Sequence, residues 1–152
     1  RTGEEDFHHL LDDPQDISKN YIDYGFLQTN VSAIGTMFKL VDGERFVEKT
    51  AYRAFPAGTL TAAFRYRDEM ADCEKCLRIA FDGGRWVVAA ADSTADVTVT
   101  CRQGDLASLL MGSCGLEAML RLGAATADND EKARELARLL HYGQKPWLNS
   151  DY

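Results

Sequence analysis

Long apolar runs are missing from this chain. No stretch of the 152 residues approaches the ~18 to 20 consecutive apolar residues that a membrane helix needs, so no span is expected. The opening residues Arg1-Thr2-Gly3-Glu4-Glu5-Asp6 also lack the basic and apolar regions of a signal peptide, and the expected location is the cytoplasm. Cysteine is scarce: Cys73, Cys76, Cys101 and Cys114 are too few and too unevenly spread for a secreted disulfide framework. Positive charge is in deficit, with 17 Lys and Arg against 24 Asp and Glu and a formal net charge of -7. That balance disfavours nucleic acid, which needs clustered cations against phosphate, and favours either plain solubility or cationic partners. An initiator Met is absent as well, so Arg1 is expected to open a piece of a longer protein.

Apolar residues are not lacking. At 45% of the chain, with 10% aromatics, they suffice for one ordinary core. Glu4 to Leu11 has Phe7, Leu10 and Leu11 at helical spacing until Asp12-Asp13-Pro14 stops it. Tyr21 to Asp42 reads as mostly extended; Met37, Lys39 and Val41 alternate with Thr36, Phe38 and Leu40, both rows largely apolar, which predicts a central strand covered on both faces. Asp42 can cap a short helix over Glu44 to Tyr52, before Phe55-Pro56-Ala57-Gly58 turns the chain.

Four strand patterns follow. Leu60, Ala62, Phe64 and Tyr66 share one face while Thr61, Arg65 and Arg67 take the other, and Leu77, Ile79 and Phe81 alternate with Cys76, Arg78 and Ala80. Asp82-Gly83-Gly84 supplies a tight hairpin turn into Trp86, Val87 and Val88, and Val97, Val99 and Cys101 complete the set. Short connections predict a largely antiparallel sheet.

After Cys101 the period changes to about 3.6. Asp105 can cap a helix carrying Leu106, Leu109 and Leu110 and ended by Gly112, and a second carries Leu116, Met119 and Leu120 and ends at Gly123. For a third, Asp128 with Glu131 makes a capping box, Ala133, Leu136, Ala137 and Leu140 make one face, and Gly143 ends it. Strands first and helices afterwards predict an α+β fold, a sheet of about five strands with helices packed on one face.

Most routes to chemistry close quickly. Cys73-Glu74-Lys75-Cys76 is half a zinc site without a second half. His8 and His9 point apart on a helix, and His141 near a helix C-terminus meets a favourable partial charge. Met111-Gly112-Ser113-Cys114-Gly115 reads as a turn between helices rather than a nucleophile elbow, and neither a dinucleotide fingerprint nor a phosphate loop occurs.

The tail Lys145-Pro146-Trp147-Leu148-Asn149-Ser150-Asp151-Tyr152 remains, with an acid, an aromatic ring and a terminal carboxylate at its end. An α-carboxylate has an ordinary pKa of about 3.3 to 3.7, so at neutral pH it is ionised and can accept a proton. The plainer reading is that Trp147 and Leu148 pack on the surface while the terminus faces water.

Asp96-Val97-Thr98-Val99-Thr100-Cys101, Asp105-Leu106-Ala107-Ser108-Leu109-Leu110-Met111-Gly112, Leu120-Arg121-Leu122-Gly123 and Lys145 to Tyr152 resemble the C-terminal domain of the enhanced intracellular survival family of GNAT N-acetyltransferases. Gln28-Thr29-Asn30 and Gly35 to Asp42 are similar to that domain's entry, and Phe7 to Pro14 to the end of the preceding lobe. The resemblance implies that residues 1–20 close an acetyltransferase lobe and residues 21–152 form a sterol carrier protein-like domain with a docking tail. It also implies that Tyr152, through its terminal carboxylate, is the general base of an amine acetylation and that Asp151 helps hold the cationic amine, aminoglycoside-like or lysine. The family's terminal Phe is Tyr here. No cofactor site is expected in this chain; acetyl-CoA would bind a preceding lobe of the same polypeptide, in a homo-oligomer, and the isolated chain should be inactive. The other reading is a lipid- or sterol-binding module, with Leu106, Leu109, Leu110, Leu116, Met119 and Leu120 lining a cavity for an apolar ligand; ordinary core packing accounts for the same stripe.

Overall fold

The structure is a computed structural model, and it describes residues 39–141. Asp42 turns the chain into the first helix, α1 (Gly43–Lys49), because its carboxylate accepts the Arg45 N–H at 2.9 Å. At the far end Thr50 returns its hydroxyl to the Phe46 carbonyl and the helix stops, three residues short of the predicted Tyr52.

Strands β1 (Leu60–Asp68), β2 (Cys73–Asp82) and β3 (Arg85–Val88) form consecutive antiparallel hairpins. Gly83 and Gly84, at φ +56° and +79°, make the two-residue turn that matches strand twist. Gly84 is also pressed on the neighbouring loop: a Cβ there would stand 2.9 Å from the Phe55 carbonyl oxygen. From β3 the chain crosses to β4 (Val97–Cys101), which pairs in parallel with β1, and β5 (Ala125–Ala127) returns antiparallel beside β4. The order is therefore β3-β2-β1-β4-β5, mixed and mostly antiparallel.

The fifth strand is not the one the sequence predicts. Residues 39–41 are not in a strand, and Lys39 and Val41 are exposed while Leu40 is buried; residues 36–38 lie outside the described residues. The place is taken by Ala125–Ala127, a three-residue strand too short to carry a period.

Helices α2 (Gln103–Met111), α3 (Leu116–Arg121) and α4 (Asp130–Leu139) complete the described architecture. Two predicted caps are corrected. Asp105 lies inside the first turn of α2, where it holds Arg102 Nε at 2.8 Å; the cap position is Arg102, which makes no side-chain cap bond. Asn129, not Asp128, caps α4 by accepting Lys132 N–H at 3.1 Å, and Asp128 instead accepts the Thr98 N–H at 2.7 Å, extending the β4–β5 edge. Helix α4 stops at Leu139, before the predicted Gly143, which lies outside the described residues.

The helices lie on one face of the sheet, as expected for an α+β fold. Core-facing side chains alternate along β1 (Leu60, Ala62, Phe64, Tyr66), β2 (Leu77, Ile79, Phe81) and β4 (Val97, Val99), and all are buried with Leu106, Leu109, Leu116, Met119 and Leu136 in one cluster. Trp86 anchors one end of the core, fully buried, with its indole N–H on the Thr50 carbonyl at 3.1 Å and Phe55 tilted against it at 4.7 Å. Arg53 joins the layers: its guanidinium lies over the Phe46 and Trp86 rings and donates to the Leu110 carbonyl in the last turn of α2 at 2.7 Å.

Candidate functional site

The expected site residues Asp151 and Tyr152 lie outside the described residues. What the structure shows is the seat from which their tail departs. Helix α4 buries Ala133, Leu136 and Leu139, with Leu140 following. Gly58 is kept small by this contact, since a Cβ there would fall 2.8 Å from a Leu139 methyl. The last turn closes with Leu140 N–H on the Leu136 carbonyl and His141 N–H on that of Arg138. His141 is thus held at the end of a helix packed into the core.

The apolar stripe proposed for a lipid cavity is packed. Leu106, Leu109 and Leu110 are 0% exposed, and Leu116 and Met119 are no more than 2% exposed. Side chains that faced an internal void wide enough for water would expose area to it, so these five touch protein on all sides. Leu120 is partly buried at the margin of the same cluster.

A second group of polar side chains sits at the β1–β2 tip. Asp68 ends β1 almost fully buried, and its carboxylate takes Lys75 Nζ at 2.6 Å and the Met70 and Ala71 N–H groups at 2.9 and 3.1 Å. The ammonium and then the two amides hold its pKa down at about 2. The same ion pair raises Lys75, and burial pushes the Tyr66 phenol up. Beside them the buried Gln103 bridges two segments, donating to the Leu40 carbonyl at 2.8 Å and accepting the Glu69 N–H at 3.2 Å. This is a stapled hairpin end, with each polar atom spent on local geometry. Neither Asp68 nor Gln103 stood out in the sequence; Asp68 before Glu-Met-Ala-Asp is an Asx-turn pattern, whereas nothing local marks Gln103.

Cys73 and Cys76 sit three apart on one strand, so they face opposite sides of the sheet and cannot share a metal. Among the described residues no three His, Cys, Asp or Glu side chains gather closely enough to hold one. The Gly112 to Gly115 segment is the expected helix-helix turn: Gly112 adopts φ +81°, and Ser113 bonds back to the Ser108 carbonyl. Cys101, against Asp105 and mostly buried, has its thiol pushed up to about 12 by burial, which removes it as a nucleophile. Among the described residues no helix is long and apolar enough to cross a membrane.

The comparisons fit this architecture. Eis1 from Mycobacterium abscessus superposes with a TM-score of 0.53 at 16% identity, over 74% of this chain and 26% of that one. A GCN5-related N-acetyltransferase from Anabaena variabilis gives 0.55 at 17%, over 72% and 26%. A probable N-acyltransferase from Enterococcus faecalis gives 0.53 at 19%, over 66% and 25%. At such identities the likeness is one of fold, and this chain spans about a quarter of the length of each. Among curated proteins none matches it in sequence. The model of the sterol carrier protein domain, however, matches residues 44–149, from the first turn of α1 into the tail, and the chain therefore belongs to the sterol carrier protein domain family.

Proposed function

We propose that this chain is the C-terminal, sterol carrier-like domain of a longer GNAT N-acetyltransferase that modifies amines, and that Tyr152 supplies its terminal carboxylate as the general base. The observation that carries the reading is that this fold recurs as about a quarter of three chains described as Eis1, an N-acetyltransferase and a probable N-acyltransferase. On this reading acetyl-CoA binds elsewhere in the polypeptide. Gly83-Gly84 is spent on a hairpin turn against Phe55, and the first turn of α2 is occupied by the Arg102–Asp105 pair. The cofactor belongs to a preceding lobe, and this domain's task is to deliver a proton acceptor.

The structure supports a fixed launching point for that delivery. His141 closes a helix whose buried face is anchored in the core, and Tyr152 lies 11 residues further along the chain. A chain of that length reaches at most ~40 Å when extended, enough to cross to a neighbouring lobe. There the carboxylate would take the proton from the substrate's ammonium and leave the nitrogen lone pair free to attack the acetyl donor, while Asp151 attracts the cation. Appending residues after Tyr152 in the full-length enzyme moves the carboxylate away from that position, and turnover should fall by roughly 10² to 10⁴. Unchanged turnover would refute the terminal base. Asp151→Asn should raise KM for a cationic amine more than it lowers kcat.

The family's description favours a second reading, a carrier of apolar ligands. Against it stands the packed stripe from Leu106 to Met119, which a ligand would have to part from the sheet.

A further inference from the structure

Asp68 and Gln103 are the two polar side chains buried among the described residues, and the fold uses them differently. Every partner of Asp68 lies within its own hairpin, at Met70, Ala71 and Lys75. Gln103 instead reaches across the chain, to the Leu40 carbonyl 63 residues away at 2.8 Å and the Glu69 N–H 34 residues away at 3.2 Å. It opens α2, whose Leu106, Ala107, Leu109 and Leu110 are buried, so the amide is offered from a rigid support.

Leu40 is the first of the described residues to be fastened to the core. Lys39 before it and Val41 after it are exposed, whereas the Leu40 side chain is buried in the main cluster. Gly43 leaves room for this packing, since a Cβ there would stand 2.9 Å from a Leu77 methyl and 3.6 Å from a Leu40 methyl. The apolar side chain sets how deeply the segment sits. The Gln103 bond sets where the carbonyl points, and a planar peptide carries that direction along the chain. Removing the donor leaves a buried carbonyl without its partner, which costs more than an ordinary hydrogen bond contributes.

We propose that Gln103 is a positioning residue: it latches the entry of the chain at Leu40 to α2 and to the β1–β2 tip, and so fixes the direction in which a preceding lobe joins this domain. The functional consequence rests on the acetyltransferase reading, in which the terminal base starts from His141 and must meet a substrate held by that lobe. The point of entry and the point of departure together set the distance the tail has to cover. Loss of the latch frees the entry segment while β1, β2 and β4 stay paired, because neither their ladders nor the apolar cluster includes Gln103.

Limited trypsin digestion of the 152-residue chain, read by mass spectrometry, follows the latch at the exposed Lys39, because cleavage after Lys39 needs Leu40 lifted from its seat. The rate tracks the population of the opened segment. Gln103→Met removes donor and acceptor at nearly constant volume, and Gln103→Glu keeps an acceptor for the Glu69 N–H but loses the amide donor to Leu40. Both should speed cleavage after Lys39 by at least about tenfold, from one buried bond lost, while cleavage after Arg78 inside β2 stays slow. Unchanged cleavage after Lys39, or equal acceleration at Arg78, overturns the latch. In the full-length enzyme Gln103→Met should lower kcat by about tenfold and leave KM for acetyl-CoA unchanged, as expected when only the placement of the base is disturbed. Unchanged kcat, in an enzyme that residues appended after Tyr152 do slow, overturns the positioning role. An enzyme indifferent to that extension refutes the terminal base itself, and the positioning role falls with it, whereas the digestion result stands.

Discussion

Truncating Leu109 to Ala tests whether the helix stripe is core or cavity wall. Leu109 is 0% exposed and belongs to the same buried cluster as Phe64, Phe81 and Trp86. The substitution removes three carbons, worth about 2.4 kcal/mol of transfer energy at ~0.8 kcal/mol each, and leaves a void that close-packed neighbours only partly fill. The total should fall between about 3 and 5 kcal/mol, the upper part of the range for buried leucines. In a chain of this size that lowers the melting temperature by roughly 10 °C. A side chain that lined an existing lipid-sized void would lose far fewer contacts and open no new space, so the same change would cost about 1 kcal/mol. Urea unfolding followed by far-UV circular dichroism separates the two cases, with Met119→Ala as a second core probe and the partly buried Leu120→Ala as a milder one. A fatty-acid displacement assay on the unaltered chain should show no saturable uptake at low concentration. Losses below about 1 kcal/mol at both Leu109 and Met119, or tight uptake by the native chain, would refute the packing argument and revive the carrier.

Gly84→Ala should cost about 2 kcal/mol in the same unfolding assay, because the residue holds φ +79° and its new Cβ would meet the Phe55 carbonyl at 2.9 Å; Gly83→Asn, at φ +56° with open space around it, should cost under about 0.5 kcal/mol. Equal effects would contradict the turn geometry. A thiol reagent at pH 8 should label Cys73 and Cys76 rapidly and spare the buried Cys114 and the high-pKa Cys101 until the chain unfolds, so fast labelling of a third thiol would count against the fold. Asp68 has its folded pKa depressed from 3.8 to about 2, so its stabilising contribution is complete above the unfolded value and is lost as pH falls through about 2. Asp68→Asn should therefore flatten the acid-unfolding curve between about pH 4 and 2, and an unaltered slope would show that the Lys75 pair does not control it.

Local patterns were legible wherever a period or a special backbone angle carried them. The alternation from Leu60 to Tyr66, the Gly83-Gly84 turn, the Asp42 cap and the Gly112 stop all stand where side-chain periodicity and glycine's freedom at positive φ require. The errors share one cause, namely competition settled at a distance. Asp128 and Asn129 are both good caps in sequence, but the Thr98 N–H at the end of β4 claims Asp128 and leaves the helix to Asn129. Ala125–Ala127 becomes a strand because the edge of β4 is there to pair with it. Alternation also assigned Arg65 and Arg67 to the outward face of β1, yet only the register with β2 sets Arg78 diagonal to Arg65 and leaves its Nε without a partner.

The amino-acid order by itself determined the α+β class and the one-sided apolar faces, because each of these follows from neighbours a few residues apart. Tertiary structure decided which strand lies parallel, that the Leu106 to Met119 stripe is filled rather than hollow, and that two arginines from different strands share one face. Pairing register and packing density join residues tens of positions apart, and no local pattern encodes which distant partner a strand edge or a helix face will meet.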